Sequence, residues 1–152
     1  MKNLSKLLVC LFLAVGTTSC WILTDQPRGG GPFGSSLVTT TPDFRVELVE
    51  CIGNHNAQSV RVTLIVTNRK ANQRAWIGSS SHSYAIDDQG RTSRPHSSAG
   101  VSAELPTGVP VRVTIERFEP VFHTMMFRHL QISIGNSETN RVVFKNVPIT
   151  WE

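Results

Sequence analysis

The sequence predicts an all-β domain, an antiparallel β-sandwich of about seven strands, and three observations point to it. Apolar residues alternate with polar ones at period two in four separate stretches. Turn-forming Gly, Asn, Asp and Pro residues punctuate those stretches at short intervals. No stretch of eleven residues keeps an apolar stripe at helical spacing better than an alternating one. The chain has 152 residues, room for one ordinary domain and not for two.

The first segment reads as a targeting signal and not as part of that domain. Lys2 and Lys6 precede an apolar run over residues 7–16, and Thr17-Thr18-Ser19-Cys20 follows. A charged start, a short apolar stretch and small residues make a secretory signal peptide. Thr18 and Ser19 ahead of Cys20 resemble a bacterial lipobox, which implies that Cys20 is the lipid attachment site and the first mature residue, with residues 1–19 removed. Thr17 stands where the lipobox pattern has an aliphatic residue. Two alternatives remain open. Ordinary cleavage after Ala14-Val15-Gly16 would release a soluble protein starting at Thr17. Residues 7–23 would, uncleaved, make an anchor of about 17 residues, the lower limit for spanning a bilayer.

Composition follows from that reading. The formal net charge is +4, but two of the fifteen basic residues leave with the signal while all eleven acids stay, so the mature chain carries +2. The remaining basic residues are scattered, with Arg69-Lys70 the one adjacent pair, unlike the clustered footprint of a nucleic-acid binder, so no nucleic-acid partner is expected. Cys10 leaves and Cys20 carries lipid, so Cys51 is alone and the domain is expected to hold together by burial and not by a disulfide.

Residues 20–42 comprise the lipidated Cys20 and a stretch with the composition of a flexible linker, containing Gly29-Gly30-Gly31-Pro32, Gly34-Ser35-Ser36 and Thr39-Thr40-Thr41-Pro42. A coil of that length spans roughly 25 Å. The competing reading is that Leu37 and Val38 add an edge strand.

The domain is expected over residues 43–152. Phe44, Val46 and Leu48 alternate with Arg45, Glu47 and Val49, and Val60, Val62, Leu64 and Val66 alternate with Arg61, Thr63 and Thr67. Val111, Val113 and Ile115 follow the same rule, as do Leu130, Ile132 and Ile134. Each reads as a strand with one buried face. Weaker strands are expected at 83–87, at 91–94 and from 142 towards Trp151. Turns are expected at Gly53-Asn54, Asn68-Arg69-Lys70, Asp88-Gln89-Gly90, Pro106-Thr107-Gly108 and Gly135-Asn136. Two facing sheets are the simplest way to cover so many one-sided strands, and an immunoglobulin-like topology is the expected case.

Several landmarks then fall in order. Residues 60–68 read VRVTLIVTN, a strand ending in Thr67-Asn68, and Ala85-Ile86-Asp87-Asp88-Gln89-Gly90 runs into an Asp-x-Gly turn. Leu105-Pro106-Thr107-Gly108-Val109-Pro110 precedes the strand at 111–118, and that at 130–134 follows. This order resembles the small immunoglobulin-like domain of unknown function in Bacteroides-type bacterial envelope lipoproteins. The resemblance covers nearly all of 43–152 and implies a lipid-anchored envelope protein, with the outer membrane as its place. No catalytic residue is established for that family, so none carries over.

Four groups of residues invite chemistry. Asp87-Asp88-Gln89-Gly90-Arg91 lacks the alternating oxygen ligands of a calcium loop, and adjacent Asp side chains on a strand end point to opposite faces, so a hairpin turn is expected. His123, Met125 and Met126 are the candidate metal ligands, because imidazole and thioether suit Cu(I). On a strand, His123, Met125, Phe127 and His129 would share one face. Gly78-Ser79-Ser80-Ser81-His82-Ser83 sets Ser near His without a nucleophile elbow, so no catalytic residue is expected. Trp76 reads as a core plug, with a surface patch as the competing reading.

The expected function is therefore a non-enzymatic, lipid-anchored envelope module, without cofactor, that binds or supports an envelope protein or glycan and touches the membrane through its lipid. The alternative is a periplasmic copper or small-ligand binding protein using the 123–126 segment.

Overall fold

The computed structural model describes residues 37–135 and 137–152, so the signal segment, Cys20 and the linker as far as Ser36 lie outside the described residues. Eleven strands follow one another as β1 (Leu37–Thr40), β2 (Phe44–Asn54), β3 (Ser59–Asn68), β4 (Gln73–Ile77), β5 (Tyr84–Asp87), β6 (Thr92–Pro95), β7 (Val101–Leu105), β8 (Pro110–Glu119), β9 (Met126–Ser133), β10 (Arg141–Pro148) and β11 (Thr150–Trp151). A single 3₁₀ turn, Glu138–Asn140, precedes β10.

Period-two patterning does what it predicts in the long strands. Phe44, Val46 and Leu48 of β2 are buried, as are Val60, Val62, Leu64 and Val66 of β3. Each such side chain contributes roughly 1.5–3 kcal/mol on leaving water. The pairing of β2 with β3 shifts register between Leu48 and Glu50, so Val49 is an extra residue. That bulge inverts the phase of the strand and turns Cys51 into the core. Burial pushes the Cys51 thiol up, with the neighbouring Glu50 carboxylate adding to it, so the group is an inert packing residue.

Nine strands make one sheet in the order β1-β2-β3-β8-β6-β5-β9-β10, with β11 beside β2. The ladders are antiparallel, except that β11 runs parallel to β2. The sheet turns a corner at β6, which meets β8 only through Arg94–Glu119 and Pro95–Phe118. Past that corner, residues of β5, β9 and β10 share one core with those of β2, β3 and β8. The Phe118 and Phe127 rings meet across it at 6.4 Å. β10 returns beside β1, where Thr41 Oγ1 donates to Asn140 Oδ1 at 3.3 Å. The sheet is nearly a closed barrel.

The expected seven strands are therefore too few. β4 and β7 form a second, two-stranded sheet where no strand was expected, since they alternate over only five residues and are not joined by a hairpin turn like the one between β5 and β6. Residues 37–40, placed in the linker, instead form the edge strand β1 against β2, and Leu37 packs on the core. The β2–β3 turn also comes later than Gly53-Asn54, over residues 55–58.

Asn68 ties the small sheet to the large one. It is fully buried at the end of β3, and its Nδ2 donates to the carbonyls of Ala71 and Leu105, each at 2.8 Å. Its Oδ1 accepts from Lys70 N at 3.0 Å and from Gln73 Nε2 at 3.4 Å. Every polar atom of the side chain is thus used where none can reach water.

Candidate functional site

Two regions of the surface gather unusual chemistry, and the first contains the predicted metal ligands. Residues 121–125 form the loop between β8 and β9, not a strand, so the expected common face of His123, Met125, Phe127 and His129 does not form. The loop is pinned from several sides. Val121 N donates to Gln58 O, Ile149 N to Met125 O and Trp151 Nε1 to Thr124 O, at 2.7, 3.0 and 2.6 Å. Thr124 Oγ1 donates to Asp88 at 2.5 Å.

That pinning leaves His123 against two rings the sequence did not connect with it. His55, in the β2–β3 turn, stacks on His123 at 5.0 Å and on Trp151 at 4.8 Å. Trp151 in turn lies on Gly53, where a methyl group would fall 2.4 Å from the indole. Met125 is 64% exposed, Met126 opens β9 half-buried, and Phe127 is buried. The His55 and His123 planes differ by only 22°. Stacked imidazoles direct their in-plane lone pairs side by side, whereas two ligands of one metal must aim them at one point. Among the described residues, no three His, Cys, Asp or Glu side chains converge as a metal site.

The other motifs resolve simply. Asp87 is buried and Asp88 exposed at the β5–β6 hairpin. Asp87 accepts from Gln89 N, Arg91 N and Arg91 Nε at 2.9, 2.8 and 2.7 Å. Burial alone would raise the Asp87 carboxyl, but those hydrogen bonds and the Arg91 charge outweigh it and hold the group below the ordinary carboxylate range. Ser81 Oγ and His82 Nδ1 lie 2.8 Å apart on the surface, with Ser79 Oγ 2.8 Å from Ser81 Oγ. This is a chain of neighbours along one turn, closed by Ser83 N donating to Ser79 O at 2.8 Å.

The second region was not foreseen as a site. β4 meets the chain leaving β9 at Ile77 and Ile134, through Gly78 N to Ser133 O at 3.0 Å and Gly135 N to Trp76 O at 2.7 Å. A cleft of about 340 Å³ is lined by residues of both segments. Phe44 and Ile134 contribute apolar lining, and Asp43, Gln73, Arg74, Ser137 and Asn140 bring polar groups. Asn140 is buried, and its Nδ2 donates to Asp43 Oδ2 at 3.0 Å. Lys70 approaches Asp43 Oδ1 to 2.5 Å. The hydrogen bonds from Lys70 and Asn140 hold the Asp43 carboxyl below its ordinary value, so it is ionised at neutral pH.

Trp76 stands at the rim of this cleft and is 44% exposed, so it is not the core plug expected. β4 alternates, with Ala75 and Ile77 inward and Arg74 and Trp76 outward. The Arg-x-Trp spacing was the available signal, since it sets the indole on the face of a guanidinium.

Comparison of the chain with protein-family models, with curated proteins and with solved structures finds no match. No helix among the described residues is long and apolar enough to cross a membrane.

Proposed function

We propose that the protein is a lipid-anchored component of the bacterial cell envelope, whose β domain is a non-catalytic binding module. The observation that carries the binding role is Trp76, an indole held at the rim of a polar cleft and left nearly half in water. Large aromatic groups in such positions are common anchors for ligands and partners. The anchoring role rests on Cys20, placed after Thr18 and Ser19 behind the apolar run of residues 7–16. An acylated Cys with more than one chain meets the requirement for stable membrane attachment. An immunoglobulin-like topology for the domain belongs to the same proposal and is supported by its largely antiparallel ladders around one core.

The test is the intact mass of the protein extracted from membranes of its native host, beside a Cys20→Ala variant. The expected result is a mature chain starting at Cys20 with added acyl mass, absent in the variant. A soluble product starting at Thr17 without lipid would overturn the anchoring.

A further inference from the structure

We infer that the cleft between β4 and the chain following β9 binds a neutral carbohydrate, with the Trp76 indole as its stacking platform. The inference rests on reading the domain as a binding module and names the class of ligand for that module.

Three properties of the cleft favour a sugar. The first is the platform. Gly100 supports the indole so closely that a Cβ there would fall 2.4 Å from Trp76 Nε1, 2.7 Å from Cε2 and 2.9 Å from Cζ2. One side of the ring is thus backed by main chain while much of the residue meets solvent, and it costs little further ordering to receive a ligand. The apolar C–H face of a pyranose is complementary to the electron-rich face of such a ring.

The second property is the kind of polar group at the rim. Asp43 and Asn140 are already tied to Lys70, to Thr41 and to each other, but Gln73 and Arg74 bring a carboxamide and a guanidinium that use only Nε2 and Nε among the described residues. These are planar groups able to engage neighbouring hydroxyls in pairs, which is how vicinal diols are distinguished from water. The volume of about 340 Å³ lies at the small end of the roughly 300–1,000 Å³ range of ligand pockets. It suits a terminal sugar or a disaccharide.

The third is charge. Asp43 is already paired with Lys70 at 2.5 Å, and Arg74 with Glu104 at 2.8 Å. Among the described residues that line the cleft, each full charge has its partner, so a phosphate or an acidic sugar would meet no unpaired cation there. A peptide strand added to β4 is disfavoured by the Gly135 N to Trp76 O bond, which closes the edge at one end.

The experiment uses the full mature chain, ¹⁵N-labelled and held in a zwitterionic detergent so that no sugar headgroup competes. The indole N–H resonance of Trp76 is assigned by its loss in Trp76→Phe. Maltotetraose, cellotetraose, mannotetraose and chitotetraose are titrated in turn to about 10 mM, the scale on which a weak single site saturates. The expected result is a saturable shift of that resonance with at least one of the four. Affinity should weaken from Trp to Phe to Ala at position 76, by at least about tenfold for Trp76→Ala. The thermal unfolding of each variant is compared so that loss of binding is separated from loss of fold. Trp76→Phe, which keeps a ring on Gly100, tests the platform should Trp76→Ala unfold.

No shift with any of the four sugars overturns the inference, as does binding that survives Trp76→Ala in a folded protein. A shift produced instead by an extended Val-Thr peptide, with amide protection spreading along β4, would assign the cleft to a polypeptide. The lipid measurement is independent. Acylated Cys20 without sugar binding would remove this inference alone, and sugar binding by an unacylated chain would remove only the anchor.

Discussion

Trp76 Nε1 occupies the space that a Cβ on Gly100 would need, the two positions being 2.4 Å apart. The absence of a side chain at residue 100 therefore sets where the indole lies, and with it one wall of the cleft. Replacing Gly100 by Ala should push the ring aside. Because Trp76 is exposed, the ring has solvent to move into, and the fold should lose only about 1 kcal/mol or less. The expected outcome is a changed indole N–H shift and near-ultraviolet circular dichroism with a nearly unchanged melting temperature. An unaltered indole signal would contradict the packing described.

Asn68 makes the opposite prediction, a large effect on stability from a fully buried polar side chain. Asn68→Ala leaves the buried carbonyl of Leu105 without its donor and removes the tie to Ala71 and Gln73. A loss of about 2–3 kcal/mol is expected in chemical denaturation, the scale of orphaned buried polar groups. Hydrogen exchange should accelerate first in β4 and β7, the small sheet that Asn68 holds. A uniform change across all strands would argue against that role.

Asp87 predicts a pH dependence. Its folded-state carboxyl lies below the ordinary value of 3.8, so its stabilisation is fully present above that value. It is lost as the pH falls through the folded-state value. Asp87→Asn keeps a side-chain oxygen for the amides of Gln89 and Arg91 but loses the charge on Arg91. The variant should be less stable by about 1 kcal/mol at neutral pH. The gap should close in acid below about pH 4, near the ordinary carboxylate range. A gap that stays constant down to strong acid would show that the charge is not what matters.

The 123–126 segment predicts a negative result with copper. The stacked rings of His55 and His123 are not aimed at a shared point, and the Met125 side chain stands out in water. Titration of Cu(I) under reducing conditions should give no stoichiometric complex that depends on Met125 or Met126. Tight binding to the parent chain, lost in Met125→Ala/Met126→Ala, would restore the soft-metal reading and require one ring to rotate.

Most of the strands that were legible are those where alternation runs long. β2, β3, β8, β9 and β10 each carry at least eight residues. β4 and β7 carry five each and β1 four, and they lack the Asp-x-Gly turn that marks out the equally short β5 and β6. The bulge at Val49 was also hidden, because a register shift belongs to a pair of strands and not to one. The hairpin at Asp87 was readable because Asp, Gly and Arg within five residues satisfy one another locally.

The site residues divide in the same way. Trp76 was visible as a large aromatic residue, read as a core plug with a surface patch as the competing reading, and its spacing from Arg74 was not used. His55, His123 and Trp151 come from three distant parts of the chain, and no local pattern announces that they stack. Taken alone, the sequence determined the all-β class, most strands and the tight turns, because side-chain alternation and turn chemistry act within a few residues. The near-closure of the sheet, the separate β4–β7 pair and the cleft at Trp76 were decided only by tertiary structure. They depend on which strands pair across long stretches of chain, and that choice is made by the summed burial of the whole core.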